Sequence, residues 1–152
     1  MILVSACLVG CRCRYNGKDA LVQNLKDLYE QGFLFPICPE LMGGLSIPRL
    51  PAKIDGLSGY DVLNNKSHVI DQSGKNVTSY FLTGAKKCTE IACSLKIKEA
   101  VLKSKSPSCG VSNTSTTRGI ACAPGVTAAI LFSIGVQIYD ETSIVNRILY
   151  EV

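Results

Sequence analysis

Three of the chain's eight cysteines share a local setting: each falls where a short apolar run ends. Cys7 follows Ile2-Leu3-Val4, Cys38 follows Phe33-Leu34-Phe35-Pro36-Ile37, and Cys109 follows Ala100-Val101-Leu102 at the end of Ser106-Pro107-Ser108. If these runs are strands of one parallel sheet, the thiols gather at its carboxyl edge, where open α/β sheets bind ligands. Thiolates are soft donors that suit zinc, copper(I) and iron–sulfur clusters. Three of them leave one iron of a 4Fe–4S cluster without a protein ligand, and an iron in that position can act as a Lewis acid on a substrate atom. The plainer reading of the same residues is buried free cysteine serving as a small hydrophobe.

The other cysteines point less clearly to chemistry. Cys7-x3-Cys11-x-Cys13 matches neither a Cys-x2-Cys zinc ribbon nor a ferredoxin run. Cys88 and Cys93 fall in a helical stretch and read as packing residues. The N-terminal Met1-Ile2-Leu3-Val4-Ser5 lacks the basic start of a signal peptide and reads as a strand, so a cytoplasmic location is expected. Reduced thiols in that compartment favour metal or redox chemistry over disulfides. No apolar run reaches the ~20 residues of a membrane span. The formal charge of +4 is carried by scattered lysines without interleaved aromatic residues. That pattern suits a basic face that attracts a small anion better than it suits a nucleic-acid groove.

Short β-rich runs alternate with helical stretches along all 152 residues, which predicts one domain spanning 1–152. Strands are expected at Ile2–Ser5, Phe33–Ile37, His68–Ile70, Ala100–Lys103 and Val136–Tyr139. Helices are expected at Lys18–Gln31, from Asn76 or Thr78 through Leu95, from Gly125 through Ser133, and from a Thr142 cap to Tyr150. Leu41–Ser58, rich in Gly and Pro, reads as a long functional loop, and Val111–Pro124 as an exposed one. The alternation predicts an α/β, three-layer, Rossmann-like fold with a mostly parallel sheet. No Gly-x-Gly-x-x-Gly follows the first strand, so a dinucleotide site gains little support. The start of the helix at Gly125-Val126-Thr127 offers free N–H groups to an anion, making Gly125 and Thr127, with Ser108, candidate substrate contacts. Lys103 and Arg49 are candidates to add positive charge there.

Several motifs taken in order resemble the DUF523 family, whose characterised members are thiouracil desulfidases. They are Ser5-Ala6-Cys7-Leu8 with Cys13-Arg14-Tyr15-Asn16-Gly17; Cys38-Pro39-Glu40 with Gly43-Gly44-Leu45 and Pro48-Arg49; Leu102-Lys103-Ser104 with Ser106-Pro107-Ser108-Cys109-Gly110; and Gly125-Val126-Thr127-Ala128-Ala129. The resemblance implies that Cys7, Cys38 and Cys109 hold a 4Fe–4S cluster with one open iron. It also implies that Glu40 is the acid/base, assisted by a serine of the Ser-Pro-Ser-Cys motif, Ser106. The substrate it implies is a small thiolated pyrimidine or its nucleotide, whose sulfur is replaced by water. Taken alone, Glu40 reads more readily as a first-turn glutamate that complements a helix dipole.

The chain departs from the family pattern in two places. Asn16 stands where an Asp is common, and Val111–Pro124 is a Ser/Thr-rich segment carrying Arg118 and Cys122. Cys11 and Cys13 are further thiols able to compete as ligands, but Cys7 alone lies in the Ser-Ala-Cys-Leu motif. Two rival functions stand beside the desulfidase. One is a non-enzymatic metal or iron–sulfur redox sensor; the other is a phosphate-binding α/β enzyme using Gly125-Val126-Thr127. A carboxylate beside the open iron and a long loop bordering a cavity favour the desulfidase over the sensor.

Overall fold

The computed structural model describes residues 1–144. Four short strands form a parallel sheet: β1 (Ile2–Ser5), β2 (Leu34–Ile37), β5 (Glu99–Leu102) and β8 (Gln137–Asp140), in the spatial order β2-β1-β5-β8. β1, β2 and β5 are nearly unbroken apolar runs, as expected of strands covered on both faces, whereas the edge strand β8 has polar residues at both ends. Side chains alternate across the sheet. Leu3, Ala100, Leu102 and Ile138 pack with Ala92, Ala128 and Leu131 of helices α4 (Thr78–Ser94) and α5 (Val126–Ser133). Val4, Leu34 and Val101 pack on the other face with Leu25 of α1 (Gln23–Glu30) and with the 3-10 turn Ala6–Val9. This is the three-layer, mostly parallel arrangement read from the sequence.

The pairing register places the strand ends together. Ser5 lies opposite Ile37 in the β1–β2 pair, and Leu102 opposite Asp140 in the β5–β8 pair. The order places β1 between strands that run outward in opposite sequence directions, so the crevice between β1 and β5 is the switch point at which such sheets bind ligands.

A second sheet was not foreseen. Its order is β4-β3-β6-β7, built from β3 (Ala52–Asp55), β4 (His68–Asp71), β6 (Thr114–Thr116) and β7 (Gly119–Ala121). β3 lies inside the expected loop Leu41–Ser58, and the β6–β7 hairpin inside the expected loop Val111–Pro124. The hairpin was hidden by its Ser/Thr composition. Thr114 and Thr116 are buried while Ser115 between them is more exposed, an alternation that β-branched threonine accommodates well. Ile54, Val62, Val69, Phe81 and Ala85 form the core beneath this sheet, so α4 serves both cores, through Phe81 and Ala85 here and through Cys88 and Ala92 on the parallel sheet.

Two helix boundaries differ from expectation. α1 begins at Gln23 because the Ala20 and Val22 N–H groups donate to the Cys7 and Leu8 carbonyls, 2.9 Å in each case, instead of entering a helix. At the C-terminal end Asp140, not Thr142, acts as the cap: its Oδ1 accepts the N–H groups of Thr142 and Ser143 at 3.0 and 2.7 Å. The rest of the expected helix to Tyr150 lies outside the described residues.

The short helix α2 (Pro39–Met42) crosses α4 through glycine. A Cβ on Gly84 would collide with the Pro39 carbonyl, and one on Gly43 with the Tyr80 carbonyl. An Ala normally stabilises a helix interior relative to Gly by about 1 kcal/mol. Gly84→Ala is expected to do the reverse, destabilising by about 1–3 kcal/mol through overpacking. A urea midpoint at or above that of the parent would show that the two helices can part freely.

Candidate active site

Beyond the aligned strand ends the chain encloses a cavity of about 390 Å³. Cys7, Cys38 and Cys109 all line it, together with Glu40, Ser106 and Ser108. Cys7 and Cys109 are 6% and 5% exposed, and Cys38 is half-buried. The structure thus brings six of the expected site residues to one place.

The loop carrying Cys109 is fixed by its own serines and by α5. The Ser106 hydroxyl accepts the N–H groups of Ser108 (3.2 Å) and Cys109 (3.1 Å), the local side-chain turn that serine favours. The carbonyls of Pro107 and Ser108 accept the first free N–H groups of α5, from Val126 and Thr127, both at 2.9 Å. These donors, expected to receive a substrate anion, are therefore already satisfied from within the chain. Gly125 and Thr127 are absent from the cavity lining; they anchor the cysteine loop from behind. A side chain at Gly125 would meet the Pro107 carbonyl at 2.6 Å, so that anchor needs glycine. The Thr127 hydroxyl is buried with no hydrogen-bond partner among the described residues.

Glu40 follows Pro39 in the first turn of α2 and is held at both oxygens. Arg49 Nε donates to Oε1 at 3.0 Å, and the Ser108 hydroxyl donates to Oε2 at 3.0 Å. Ser106 Oγ lies 3.0 Å beyond Ser108 Oγ, so Ser108 and not Ser106 is the serine in contact with the carboxylate. The Arg49 and Glu40 side chains are only 7% and 17% exposed. The guanidinium also donates to the carbonyls of Ser46 (3.1 Å) and Cys13 (3.0 Å), spending its fork on the loop that carries it. Arg49 was expected as free positive charge. A nearly buried carboxylate needs a cation, and that requirement is the signal that could have paired the two residues from sequence.

Lys103 is likewise committed. Its Nζ donates to Glu141 Oε1 at 2.6 Å, and Glu141 also accepts the N–H and hydroxyl of Ser104 at 2.8 and 2.7 Å. Arg14, Lys53 and Lys105 line the same cavity and form no ion pair among the described residues.

Burial, with the charge of Cys38 added, pushes the Cys109 thiol up to about 12, against the hydroxyls of Ser5 and Ser108, which favour the thiolate. Contact with the Cys13 thiol and burial raise Cys38, and the Leu41 N–H beside it pulls the other way. These buried thiols therefore resist ionising alone, whereas a coordinating metal deprotonates them outright. No three Cys, His, Asp or Glu side chains among the described residues converge tightly enough for a single ion. The thiols are spread around a cavity, an arrangement suited to a cluster whose ligands bind different irons and unsuited to a tetrahedral zinc.

Thiols and a carboxylate fixed at both oxygens thus share one cavity at the carboxyl edge of an α/β sheet. Comparison with known proteins gives the family. Residues 2–143 match the 2-thiouracil desulfurase family, and the chain belongs to it. The uncharacterized protein YbbK of Bacillus subtilis (strain 168) is 40% identical over 152 residues, covering 98% of this chain and all of that one. A solved structure of the 4Fe-4S-dependent thiouracil desulfidase TudS superposes with a TM-score of 0.85 at 33% identity, over 97% of this chain and 95% of that one.

Lys103 and Ser104, with Ser143 bonded to Asp140, tie the ends of β5 and β8 together at the cavity rim. Burial opposes ionisation of Glu141, but Lys103 and Ser104 outweigh it and hold the carboxyl below its ordinary value of 4.5. A depressed folded-state value contributes stability that is fully present above the unfolded value and lost as pH falls through the folded one. Melting temperature followed from about pH 6 to about pH 3 should therefore fall less steeply in Glu141→Gln than in the parent. Parallel profiles would deny the pair any role in acid stability.

Proposed function

We propose that the protein replaces the thiocarbonyl sulfur of a thiolated pyrimidine with oxygen from water, with Cys7, Cys38 and Cys109 as the ligands of a 4Fe–4S cluster and Glu40 as the acid/base. The observation that carries this reading is the shared cavity of the three thiols and a carboxylate fixed from two sides. The bound cluster would supply a thiophilic Lewis-acid iron for the substrate's sulfur.

The reaction is a hydrolysis without net redox change: the ring carbon gains a C–O bond, the C–S bond breaks, and sulfide leaves with the protons of water. The chain's own groups manage the proton. Each oxygen of Glu40 keeps lone-pair capacity beyond the one bond it accepts, so the carboxylate can take a proton from the attacking water while Arg49 and Ser108 hold its plane. Ser108, touching both Glu40 and Ser106, is placed to pass a proton toward the loop or to bond the pyrimidine edge.

The three unpaired cations, Arg14, Lys53 and Lys105, support a substrate with an anionic group, as in a nucleoside monophosphate. Arg49 and Lys103 are neutralised by their carboxylates and take no part in that attraction. On this reading the anion is met by these three cations and not by the α5 start.

Anaerobic reconstitution should give a protein with the iron and sulfide of one cluster that releases sulfide from thiouracil. Ser at Cys7, Cys38 or Cys109 should abolish the cluster's absorption, and Ser at Cys88 should not. Glu40→Gln should keep the cluster and lose at least the ~10²-fold typical of a missing general base; undiminished sulfide release would remove Glu40 from the mechanism. For the substrate, kcat/KM should be higher for the monophosphate than for the free base, and Lys53→Ala with Lys105→Ala should erase the difference. A monophosphate that is the poorer substrate at every salt concentration would overturn the anionic assignment alone.

A further inference from the structure

The groups assigned so far meet a thiolated pyrimidine at its sulfur, at its polar edge and through the attacking water. None of them covers a face of the ring. Small-molecule sites bury flat ligands mainly against apolar and aromatic side chains and use a few polar groups for orientation. Tyr15 is the one aromatic residue among those lining the cavity. It is 38% exposed and belongs to none of the apolar clusters of the core, so its ring surface is not used to hold the fold together.

Its backbone is nevertheless fixed. The Gly17 N–H donates to the Arg14 carbonyl at 2.9 Å, closing a turn in which Tyr15 is the second residue, and the left-handed φ of 73° at Gly17 suits glycine there. The Arg14 N–H donates to the Lys18 carbonyl at 3.2 Å, and the Lys18 N–H to Asn16 Oδ1 at 3.1 Å. The Tyr15 carbonyl accepts the Arg49 N–H at 2.9 Å. Arg49 is also the residue whose Nε holds Glu40 at 3.0 Å. One residue therefore bonds both to the carboxylate and to the backbone that carries the ring. The Arg14 guanidinium lies over the Tyr15 ring, 6.0 Å from its centroid, at the outer limit of a cation–π contact. A cation on one face leaves the other free for a flat ligand.

We propose that Tyr15 is a specificity-determining residue whose ring stacks on a face of the substrate's pyrimidine. The inference rests on the reading of the cavity as a thiopyrimidine site. Every base presents a π-face whatever its substituents, so the contact serves base, nucleoside and nucleotide alike. The stack fixes the plane of the heterocycle and so the direction of its thiocarbonyl. Addition to the ring carbon comes from above or below that plane. A stacked Tyr15 closes one face and leaves the opposite one to the water that Glu40 activates.

The test compares the full-length parent with Tyr15→Phe and Tyr15→Leu, each reconstituted anaerobically, and uses uracil to probe the ring without its sulfur. All three should hold the same iron, because Tyr15 supports no core cluster. In proton NMR the uracil ring protons should move upfield on binding the parent or Tyr15→Phe, the ring-current mark of a proton over an aromatic face, and not on binding Tyr15→Leu. The cluster's own effect on those signals is common to the three proteins. KM for thiouracil should rise about tenfold in Tyr15→Leu, more than kcat falls, and stay near the parent's in Tyr15→Phe. Equal uracil shifts in parent and Tyr15→Leu, no shift in any protein, or an unchanged KM in Tyr15→Leu would each overturn the inference. So would a Tyr15→Phe as impaired as Tyr15→Leu, because the hydroxyl and not the ring face would then be what binds. A Tyr15→Leu that cannot hold the cluster would assign Tyr15 to structure and overturn it as well. A parent that shifts the uracil signals but releases no sulfide from thiouracil would instead overturn the function proposed above and leave the stacking site standing.

Discussion

The parallel pairing of β1 with β2 and β5 is the constraint on which the site depends. Ser5, Ile37 and Leu102 close their strands at one level because the registers align them. Cys7 and Cys38 follow within two residues, and the Ser106–Gly110 loop needs only to fold back to bring Cys109 beside them. Side-chain period in a strand is two, so a one-residue slip in any of the three would turn its apolar set off the core. Burial on both faces forbids that slip. The packing that stabilises the fold is thereby the same packing that sets the distances between thiols. Ser5 reinforces the alignment, its hydroxyl accepting the Lys103 N–H at 2.9 Å just past the end of β5.

The second constraint is electrostatic. The Glu40 side chain is only 17% exposed, and a carboxylate so placed is unfavourable without a partner. Arg49 supplies it bonded at 3.0 Å, and two further N–H groups donate to the carbonyls of Ser46 and Cys13. Removing one member of a buried pair typically costs about 3–5 kcal/mol, because the other charge is left uncompensated. The stretch from Gly43 to Pro51 is thus no mere connection between α2 and β3. It delivers a guanidinium to Glu40 and, through the Cys13 carbonyl, ties Glu40 to the N-terminal cysteine segment.

Much of the frame was legible because local pattern and tertiary role agree. Ile2-Leu3-Val4 and Ala100-Val101-Leu102 are apolar on successive residues, which suits a strand buried on both faces, and cysteines at their ends fall where such sheets carry chemistry. Three failures have a common physical origin. The start of α5 looked like an anion site because its N–H groups are free within the helix; Pro107 and Ser108 occupy them from a separate loop. Lys18–Val22 has helical apolar spacing, yet its backbone bonds to the 3-10 turn after β1. Thr114 and Thr116 sit in a segment too polar to suggest burial, but they are covered by the rest of the fold. In each case a long-range contact decided between local options of similar energy. Spacing also revealed Cys13 as an extra thiol, but not that it would line the same cavity as the other three.

The cations divide by the same logic into structural and free. Arg49 and Lys103 stand near the buried ends of the sheet, where an unpaired charge is unfavourable, and each has a carboxylate. Arg14, Lys53 and Lys105 line the cavity without one among the described residues. A field from unpaired charges at an opening attracts anions and raises their local concentration, whereas paired charges close to the thiols would compete with the substrate for Glu40 if they were free. The other three, unpaired among the described residues, leave a positive field in the cavity. The modest net charge of +4 understates this contrast, because what matters to a ligand is which charges remain uncompensated where it enters.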